Sequence, residues 1–328
     1  MNYEEAKSAF TSLFSHELSD AQMREFLTSM KLDVNTSTES LAAAAEVMRS
    51  FAIPLPISDE LRAYAIDIVG TGGDKIGSFN ISSTVAVLVA SCGSVVAKHG
   101  SRSVTSKSGS ADMFEALGVR LDLCIEKSAR LLEESGFTFM FAQNHHPAMK
   151  FIMPVRKEIP EKTIFNILGP LTNPAGVKKS MLGVFSKDFV PKMTEALKIN
   201  GATSTMVVSS KEGMDEISLS DITYVSQLKD GVVKEFEIDA QMFGIKKAPI
   251  EAIVGGDARA NAKILFNIFD NNATDAQRDI VLLNTAATLV VDGSARDIQD
   301  GLEMARDAIR NARPKKKLRQ IIEISNKL

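Results

Sequence analysis

The feature that most constrains the fold is a glycine-rich turn between a mostly apolar run and a second apolar segment of helical length. Residues 65–69 read as a buried strand, residues 70–73 are Gly-Thr-Gly-Gly, and residues 81–89 form the second segment. A strand, a glycine turn and a helix N-terminus together present free backbone N–H groups to an anion. Glycine also allows the backbone to approach a phosphate closely. The sequence therefore predicts a site for a phosphorylated small molecule.

Neither of the two common nucleotide-binding patterns fits this turn. The P-loop pattern needs Gly-Lys followed by Ser or Thr, and Lys75 is displaced from that position. The dinucleotide pattern needs an acidic residue about 20 positions later, and residues 90–95 contain none. We therefore expect a phosphate site of another type.

Composition narrows the class of protein. The 328 residues are 45% hydrophobic and 24% charged, with a formal net charge of −3. These values are typical of a globular protein and favour neither nucleic acid nor a membrane surface as a partner. The N-terminal residues lack the apolar core of a signal peptide. Cys92 and Cys124 are interpreted as reduced core residues, so we predict a cytoplasmic protein.

Hydrophobic periodicity divides the chain into two regions. Residues 1–62 show amphipathic helical patterns and no strand pattern, which predicts a small helical domain. From residue 65 onward, short β-rich runs alternate with helical patterns, which predicts an α/β fold with a mostly parallel central sheet. We assign residues 65–160 and 180–328 to this larger domain and expect helices around 163–178 to join the small one. Residues 222–238, centred on Asp230 and Gly231, predict a β-hairpin.

A second polar cluster follows the β-rich run at 95–97. Residues 97–112 contain Lys98, Arg102 and Lys107 among several hydroxyl side chains. Because two such loops follow consecutive strands, we expect them at the same edge of the sheet. We interpret the cluster as a second anion-binding loop in which Lys98 pairs with a phosphate. The alternative is a polar loop in which Ser110 or Asp112 caps the next helix.

Histidines and an arginine form a third group. His145 and His146 are adjacent, so we do not expect them to converge on one metal ion. Arg156 lies on a predicted helix, and its planar guanidinium suits a carboxylate. An exposed surface arginine remains the alternative.

Two adjacent carboxylates form a fourth group. Asp215 and Glu216 follow the apolar run 206–209 and a turn. Carboxylates at a strand end suit Mg²⁺ held partly through water. A solvated acidic turn is the alternative, but a pyrophosphate ligand elsewhere in the site would favour magnesium.

Together, these motifs resemble the anthranilate phosphoribosyltransferases. The resemblance implies a small helical domain joined to a larger α/β domain, like that of the pyrimidine nucleoside phosphorylases, and a homodimer formed through the small domain. It implies that the amine of anthranilate displaces pyrophosphate from phosphoribosyl pyrophosphate, in tryptophan biosynthesis. The matching segments run in order along essentially the whole chain, at residues 70–74, 80–83, 98–100, 108–112, 146–148, 155–156, 163–174, 215–216 and 255–257.

The resemblance also implies a role for individual residues. Those expected to bind phosphoribosyl pyrophosphate are Gly70, Gly73, Asp74, Ser78, Asn80, Ile81, Ser82, Ser83, Lys98, His99, Gly100, Ser101, Arg102, Ser103, Val104, Thr105, Ser106 and Ser110. Those expected at the anthranilate are Gly70, His99, Ser101, His146, Arg156 and Pro170. Those expected to bind magnesium, as two ions, are Ser82, Asp215 and Glu216. No general base is expected, because an aromatic amine is a neutral nucleophile near pH 7.

One position departs from the family pattern. The family usually has asparagine after Lys-His-Gly, and this chain has Ser101. A serine hydroxyl reaches less far than an amide, so this change bears on the affinity for anthranilate. Two other functions remain as alternatives: a pyrimidine nucleoside phosphorylase-like enzyme, and a non-catalytic paralogue, which would be expected to lack Asp215 and Glu216.

Overall fold

The computed structural model describes residues 1–102 and 107–328. Its first helices begin at side-chain caps. Asn2 accepts a hydrogen bond from the Glu5 N–H, at 2.9 Å, and Ser37 accepts one from the Ser40 N–H, at 3.0 Å. Such caps satisfy N–H groups that have no partner within the helix. The helices of this region are α1 (Tyr3–Phe14), α2 (Asp20–Ser29), α3 (Thr38–Ser50) and α4 (Asp59–Tyr64).

A seven-stranded sheet in the order β3-β2-β1-β4-β5-β6-β7 organises the rest of the described chain. The five strands β3, β2, β1, β4 and β5 pair in parallel. Strand β6 pairs antiparallel with both β5 and β7. Asp230 and Gly231 form the turn between the last two strands, which confirms the predicted hairpin. The strands are β1 (Ile66–Gly70), β2 (Val96–Gly100), β3 (Phe137–Phe141), β4 (Lys179–Gly183), β5 (Ser204–Ser210), β6 (Thr223–Lys229) and β7 (Val232–Ile238).

Helices cover the sheet, and the predicted α/β class with a mostly parallel sheet is confirmed. Short 3₁₀ turns occur at Gly169–Leu171, Lys187–Phe189, Ala240–Phe243 and Ile250–Ile253. The helices are α5 (Ile81–Ser91), α6 (Ser110–Ala116), α7 (Ile125–Ser135), α8 (Ala142–His145), α9 (Met149–Lys157), α10 (Phe165–Leu168), α11 (Val190–Ile199), α12 (Ala258–Phe269), α13 (Asp275–Asp292), α14 (Ile298–Arg310) and α15 (Arg313–Lys327). No helix in the described ranges is both long and apolar enough to cross a membrane.

The strand order changes direction at β1. From β1 the chain continues to β2 on one side, and β4 pairs with β1 on the other. In open α/β sheets, ligands bind outside the carboxyl ends of the strands at such a switch point. The fold therefore predicts a ligand site beside the segments that follow Gly70 and Gly183.

The hydrophobic core does not divide where the helical region ends. Phe10 and Leu41 of the N-terminal helices belong to the same buried cluster as Leu182 of β4, Met193 of α11 and Val207 of β5. A polar contact also joins the helical region to α11: the Asn200 amide, at the end of α11, donates to the Ala42 carbonyl of α3 at 3.0 Å. The helical bundle is thus packed against one part of the sheet. The domain boundaries given above stay a prediction.

One local prediction needs correction. Both cysteines are free, but Cys124 is exposed because it precedes α7 at its N-terminus. Of the two residues considered as a cap for α6, Ser110 is the first residue of the helix. Asp112 is confirmed, because its carboxylate accepts a hydrogen bond from the Gly109 N–H, at 2.8 Å.

Candidate active site

The glycine-rich turn leaves the carboxyl end of β1 and meets the acidic pair. The Gly72 N–H donates to Asp215 Oδ2 at 2.7 Å, and the Thr71 N–H donates to the Gly183 carbonyl at 3.0 Å. Gly72 and Gly73 have φ values of 65° and 73°, which favour glycine. The turn and the acidic pair are 143 positions apart in sequence, and the fold brings them together as predicted.

Two glycines allow Asp215 to cross the ends of neighbouring strands. Gly70 and Gly183 are partners in the β1–β4 register. A β-carbon on Gly70 would overlap the Asp215 carboxylate, and one on Gly183 would overlap the Asp215 backbone. Sequence reasoning missed Gly183, although its place at the end of a parallel strand beside β1 is a signal that could have identified it.

Glu216 lies at the N-terminus of α5. Its Oε1 accepts a hydrogen bond from the Ser82 N–H, at 3.0 Å. The free N–H groups and the dipole of a helix N-terminus favour negative charge at this place. Ser82 and Glu216, which the family resemblance assigns to one metal site, are therefore neighbours in the fold.

The electrostatics of this loop favour a bound cation. Removal from water, reinforced by the charge of Asp74, raises the pKa of Asp215 to about 7. The same desolvation, with the charge of Asp215, raises the pKa of Glu216 well above its usual range. Within residues 1–102 and 107–328, no three His, Cys, Asp or Glu side chains form a closed metal site. Magnesium commonly uses only one or two carboxylates with water and substrate phosphates, so the pair fits Mg²⁺.

Lys98 lies in β2, beneath Asp215 and Glu216, and is not exposed on the second loop. Its ammonium is buried and donates to the Ile68 carbonyl. Burial lowers its pKa, and Asp67, Glu216 and Asp215 oppose that effect. Lys98 thus supplies positive charge to the acidic pair from below.

Asp67, a residue that sequence reasoning did not assign to the site, orients the strand that carries His99. Its Oδ1 accepts a hydrogen bond from the His99 N–H, at 3.0 Å. Burial raises the pKa of Asp67 to about 6, and Lys98 partly offsets the shift. A buried carboxylate within a sheet is costly unless it is hydrogen-bonded, which ties Asp67 to this position.

His99 and His146 form a buried, neutral pair. Their ring centroids are 5.2 Å apart, and burial lowers the pKa of His146 to about 4. Burial and the two nearby histidines also hold the pKa of His99 well below its usual range. The Gly169 backbone, beside the buried Pro170, partly offsets this lowering of the His99 pKa. Nε2 of His99 and both ring nitrogens of His146 have no hydrogen-bond partner among the described residues.

Arg156 is a half-buried cation on α9. Its guanidinium lies 5.8 Å from the centre of the Phe165 ring, and burial lowers its pKa. Its one polar contact in the described part of the chain is the sulfur of Met153, at 3.9 Å. A desolvated guanidinium without a carboxylate partner suits an anionic ligand.

The second loop is described in part. Ser103, Val104, Thr105 and Ser106 lie outside the described residues. Arg102 is exposed and pairs with Asp112, at 3.0 Å, and Glu115, at 2.5 Å. Ser101 is also exposed, and its carbonyl accepts a hydrogen bond from the Ser110 hydroxyl, at 3.3 Å.

The remaining predicted donor-loop residues lie around the start of α5. Ser78 forms an isolated bridge with Val254. Asp74 Oδ1 accepts a hydrogen bond from the Ile76 N–H, at 3.2 Å. Ile81 and Ser83 are buried, and the Ser83 hydroxyl has no partner among the described residues.

Asn284 is a third residue that sequence reasoning missed. It lies on α13 and is buried, and its amide contacts the backbone of Ile217, directly after Glu216. A polar side chain within the apolar run 280–291 is the signal that could have identified it.

Comparisons with known proteins identify one family. Residues 62–313 match the family model described as a glycosyl transferase family α/β domain, and residues 1–52 match the helical bundle domain of a glycosyl transferase family. The chain is 42% identical over 322 residues to the anthranilate phosphoribosyltransferase of Rhodopseudomonas palustris, covering 98% of this chain and 94% of the relative. It is 43% identical over 326 residues to that of Methanobrevibacter smithii, covering 99% and 96%.

Solved structures give the same result. The anthranilate phosphoribosyltransferase of Thermus thermophilus has a TM-score of 0.92 at 34% identity, covering 99% of this chain and 96% of that one. The enzyme of Saccharomyces cerevisiae in complex with PRPP and Mg has a TM-score of 0.87 at 25% identity, covering 98% and 93%.

Proposed function

The chain belongs to the anthranilate phosphoribosyltransferase family, and from that premise we propose that the crevice at the carboxyl ends of β1 and β4 is its active site. The enzyme transfers the phosphoribosyl group of phosphoribosyl pyrophosphate to anthranilate, with release of pyrophosphate, in tryptophan biosynthesis. The observation that carries the assignment is that both acidic residues contact the segment from the glycine-rich turn to the start of α5. The Gly72 N–H donates to Asp215, and the Ser82 N–H donates to Glu216. The relatives give no support to the nucleoside phosphorylase-like alternative.

We propose that the donor binds across the glycine turn and the start of α5. The Gly73 N–H and the hydroxyls of Ser78, Ser82 and Ser83 would bind the pyrophosphate, with Asp74 and Asn80 at its edge. The Thr71 and Gly72 N–H groups already donate to Gly183 and Asp215. Supporting this, the positive φ of Gly72 and Gly73 places the turn in a conformation open to close phosphate contact. Residues 99–106 and Ser110 would bind the donor from the second loop, whereas the buried Lys98 would act through the acidic pair.

Asp215 and Glu216 would hold Mg²⁺, and two ions are proposed because the family resemblance implies two. The raised pKa values of both carboxyls support this assignment, because a cation would stabilise their ionised forms. Bound Mg²⁺ would neutralise the charge that grows on the leaving pyrophosphate. Ser82 would complete the set from the second position of α5.

The anthranilate would lie between Arg156 and the histidine pair. Arg156 would bind the carboxylate, which agrees with its unpaired and half-buried guanidinium. His99, His146 and Pro170 would exclude water on one side, with Gly70 and Ser101 on the other. Both histidines are neutral, so they would contact the aromatic ring without adding a positive charge.

No residue is needed to remove a proton before attack. The amine of anthranilate is neutral near pH 7, and the demanding step is the departure of pyrophosphate. Backbone donors that are already oriented can contribute roughly 3–4 kcal/mol each to such a step. The chain's main contribution would therefore be to hold the leaving group and to align the amine with the anomeric carbon.

We further propose a cytoplasmic homodimer formed through the N-terminal helical region. Val34 is 63% exposed, and Phe151 of the neighbouring α9 is 49% exposed and stacks on His16. Apolar side chains exposed in this way are suited to an interface. Sedimentation equilibrium tests the dimer, with Phe151→Asp as the variant expected to dissociate, and cell fractionation tests the location.

One assay tests the function. The purified protein is mixed with anthranilate, phosphoribosyl pyrophosphate and Mg²⁺, and the loss of anthranilate fluorescence is followed. We expect loss that requires all three components. A fluorescence trace that does not change, with the protein folded, would contradict the proposal.

A further inference from the structure

We propose that Asn261 is a positioning residue that acts through Asn80. It holds the two donor loops, which are residues 70–80 before α5 and the second loop after β2, in one arrangement. This inference rests on the proposed function, because it assigns a binding consequence to the loops. It also gives a role to the segment Gly255-Gly-Asp257, which no step of the reaction described above uses.

The segment before α12 is a short strand-like support for the donor loop. Ser78 and Val254 form an antiparallel bridge. The Phe79 N–H donates to the Ile253 carbonyl at 3.1 Å, and the Gly255 N–H donates to the Gly77 carbonyl at 2.9 Å. Residues 77–79 are thus fixed by backbone contacts to residues 253–255.

Gly255 is required for this approach. A β-carbon at Gly255 would lie 2.6 Å from Phe79 Cα and 2.7 Å from Asn261 Oδ1. Contacts this short force the neighbouring atoms to move. The absence of a side chain therefore sets the distance between the donor loop and α12.

Asp257 and Asn261 then direct an amide to the loop. Asp257 caps α12 by accepting a hydrogen bond from the Ala260 N–H, at 2.8 Å. One turn later, Asn261 Oδ1 accepts one from the Gly256 N–H, and its Nδ2 donates to Asn80 Oδ1, both at 2.8 Å. Asn261 is buried, so both groups of its amide are used within the protein.

Asn80 carries the connection to the second loop. Its Nδ2 donates to the Ser108 carbonyl at 3.1 Å, and the Ser108 hydroxyl donates to Asn80 Oδ1 at 3.2 Å. Asn80 is the N-cap residue of α5, yet its side chain makes no capping bond. This side chain instead joins the start of α5, the second loop and α12.

The relative position of the two donor loops therefore depends on the Asn80 amide, which Asn261 holds in place. A ligand that contacts both loops would bind more weakly when that position is free to vary, because binding would then have to order it. Arg156, proposed to bind the anthranilate carboxylate, lies on another element and would be little affected, so anthranilate would keep its charged contact.

Two substitutions separate the contacts of Asn261. Asn261→Asp keeps the acceptor for the Gly256 N–H and removes the donor to Asn80, and Asn261→Ala removes both. Asn267→Ala, on the same helix and away from this contact, is the matched control. The measurements are the dissociation constant of phosphoribosyl pyrophosphate with Mg²⁺ by calorimetry, the KM of each substrate, and hydrogen exchange of residues 77–82 and 107–113 without ligand.

We expect Asn261→Asp to raise the dissociation constant of phosphoribosyl pyrophosphate about tenfold, with the KM for anthranilate changed less than about twofold. We expect faster exchange in both segments and no change in Asn267→Ala. In a double-variant cycle, Asn261→Ala combined with Asn80→Ala should bind no more weakly than Asn80→Ala alone, because the two residues act as one unit.

Three results would overturn the inference. They are an unchanged dissociation constant in Asn261→Asp, equal changes in the two KM values, and additive effects in the cycle. In each of these cases the wild type still binds phosphoribosyl pyrophosphate, so the proposed function survives. A wild type that does not bind it would overturn both proposals.

Discussion

Asn284 holds Ile217 by both polar groups of its backbone. The Ile217 N–H donates to Asn284 Oδ1 and Asn284 Nδ2 donates to the Ile217 carbonyl, each at 2.9 Å. Ile217 directly follows Glu216, and Asn284 lies on the longest helix in the described ranges, α13. The position of the acidic pair above the sheet is therefore set by a helix from a distant part of the chain.

Removing this amide should affect stability and metal use together. Asn284→Ala leaves two buried backbone groups unpaired, so we expect the free energy of unfolding to fall by about 1–3 kcal/mol. We also expect a higher Mg²⁺ concentration at half-maximal rate, with less effect on turnover at saturating Mg²⁺. Denaturant titration and a Mg²⁺ titration of the rate measure these effects. Asn311→Ala, at the exposed end of α14, is the control, and equal Mg²⁺ requirements in both variants would contradict the role.

Neutralising the acidic pair should remove activity but keep the fold. Asp215→Asn combined with Glu216→Gln preserves shape and removes two mutually repelling carboxylates, so thermal stability without Mg²⁺ should not fall. We expect turnover to decrease by about 10²–10³-fold, the order typical of losing an electrostatic contact to the transition state. Asp221→Asn, on the same loop but paired with Lys211, is the control. Turnover near that of the wild type at limiting Mg²⁺ would exclude the metal role.

Arg156→Ala should separate the two substrates kinetically. Removal of the guanidinium takes away a charged partner for the anthranilate carboxylate, for which we expect a KM rise of about tenfold or more. The KM for phosphoribosyl pyrophosphate should change much less. Lys157→Ala, on the exposed neighbouring position, controls for a loss of charge on α9. Equal effects on both KM values would mean that Arg156 is structural.

His146 should make stability depend on acidity. Its pKa is near 6.5 when unfolded and is lowered to about 4 in the fold by burial. Between these two pKa values the unfolded state binds more protons than the folded state. The contribution of neutral His146 to the free energy of unfolding is therefore fully present above about pH 6.5 and is lost as the pH falls towards 4. This amounts to about 2 kcal/mol between pH 7 and pH 5. Denaturant titrations of the wild type and His146→Gln at both pH values test this, and parallel losses in the two proteins would contradict it.

Local signals in the sequence were sufficient for the elements and for the main acidic and glycine motifs. The amphipathic pattern of residues 1–62 marks the first helices, and Asp230-Gly231 marks the hairpin, because each of these signals acts on neighbouring residues. Asp215 and Glu216 were identified by charge and by their place after an apolar run.

Contacts between distant residues could not be predicted in this way. Asn261 and Asn80 are 181 positions apart, and Asn284 and Ile217 are 67 apart. Asn261 alone reads as an ordinary polar residue in a helix, and Asn284 stands out only as a polar residue in an apolar run. Only the packed fold shows which group each of them meets. Lys98 was expected on a loop, but the sheet buries it, because a long side chain can reach a carbonyl on the adjacent strand.

The shared core of the helical bundle and the sheet has a consequence for recombination between relatives. The two family matches leave residues 53–61 between them, which suggests an obvious crossover point for chimeric enzymes. The buried cluster crosses that point, because Phe10 and Leu41 pack with Leu182, Met193 and Val207. A bundle transplanted from another species would therefore carry half of a packed interface. Chimeras that exchange residues 1–62 together with β4, β5 and α11 keep both halves from one parent.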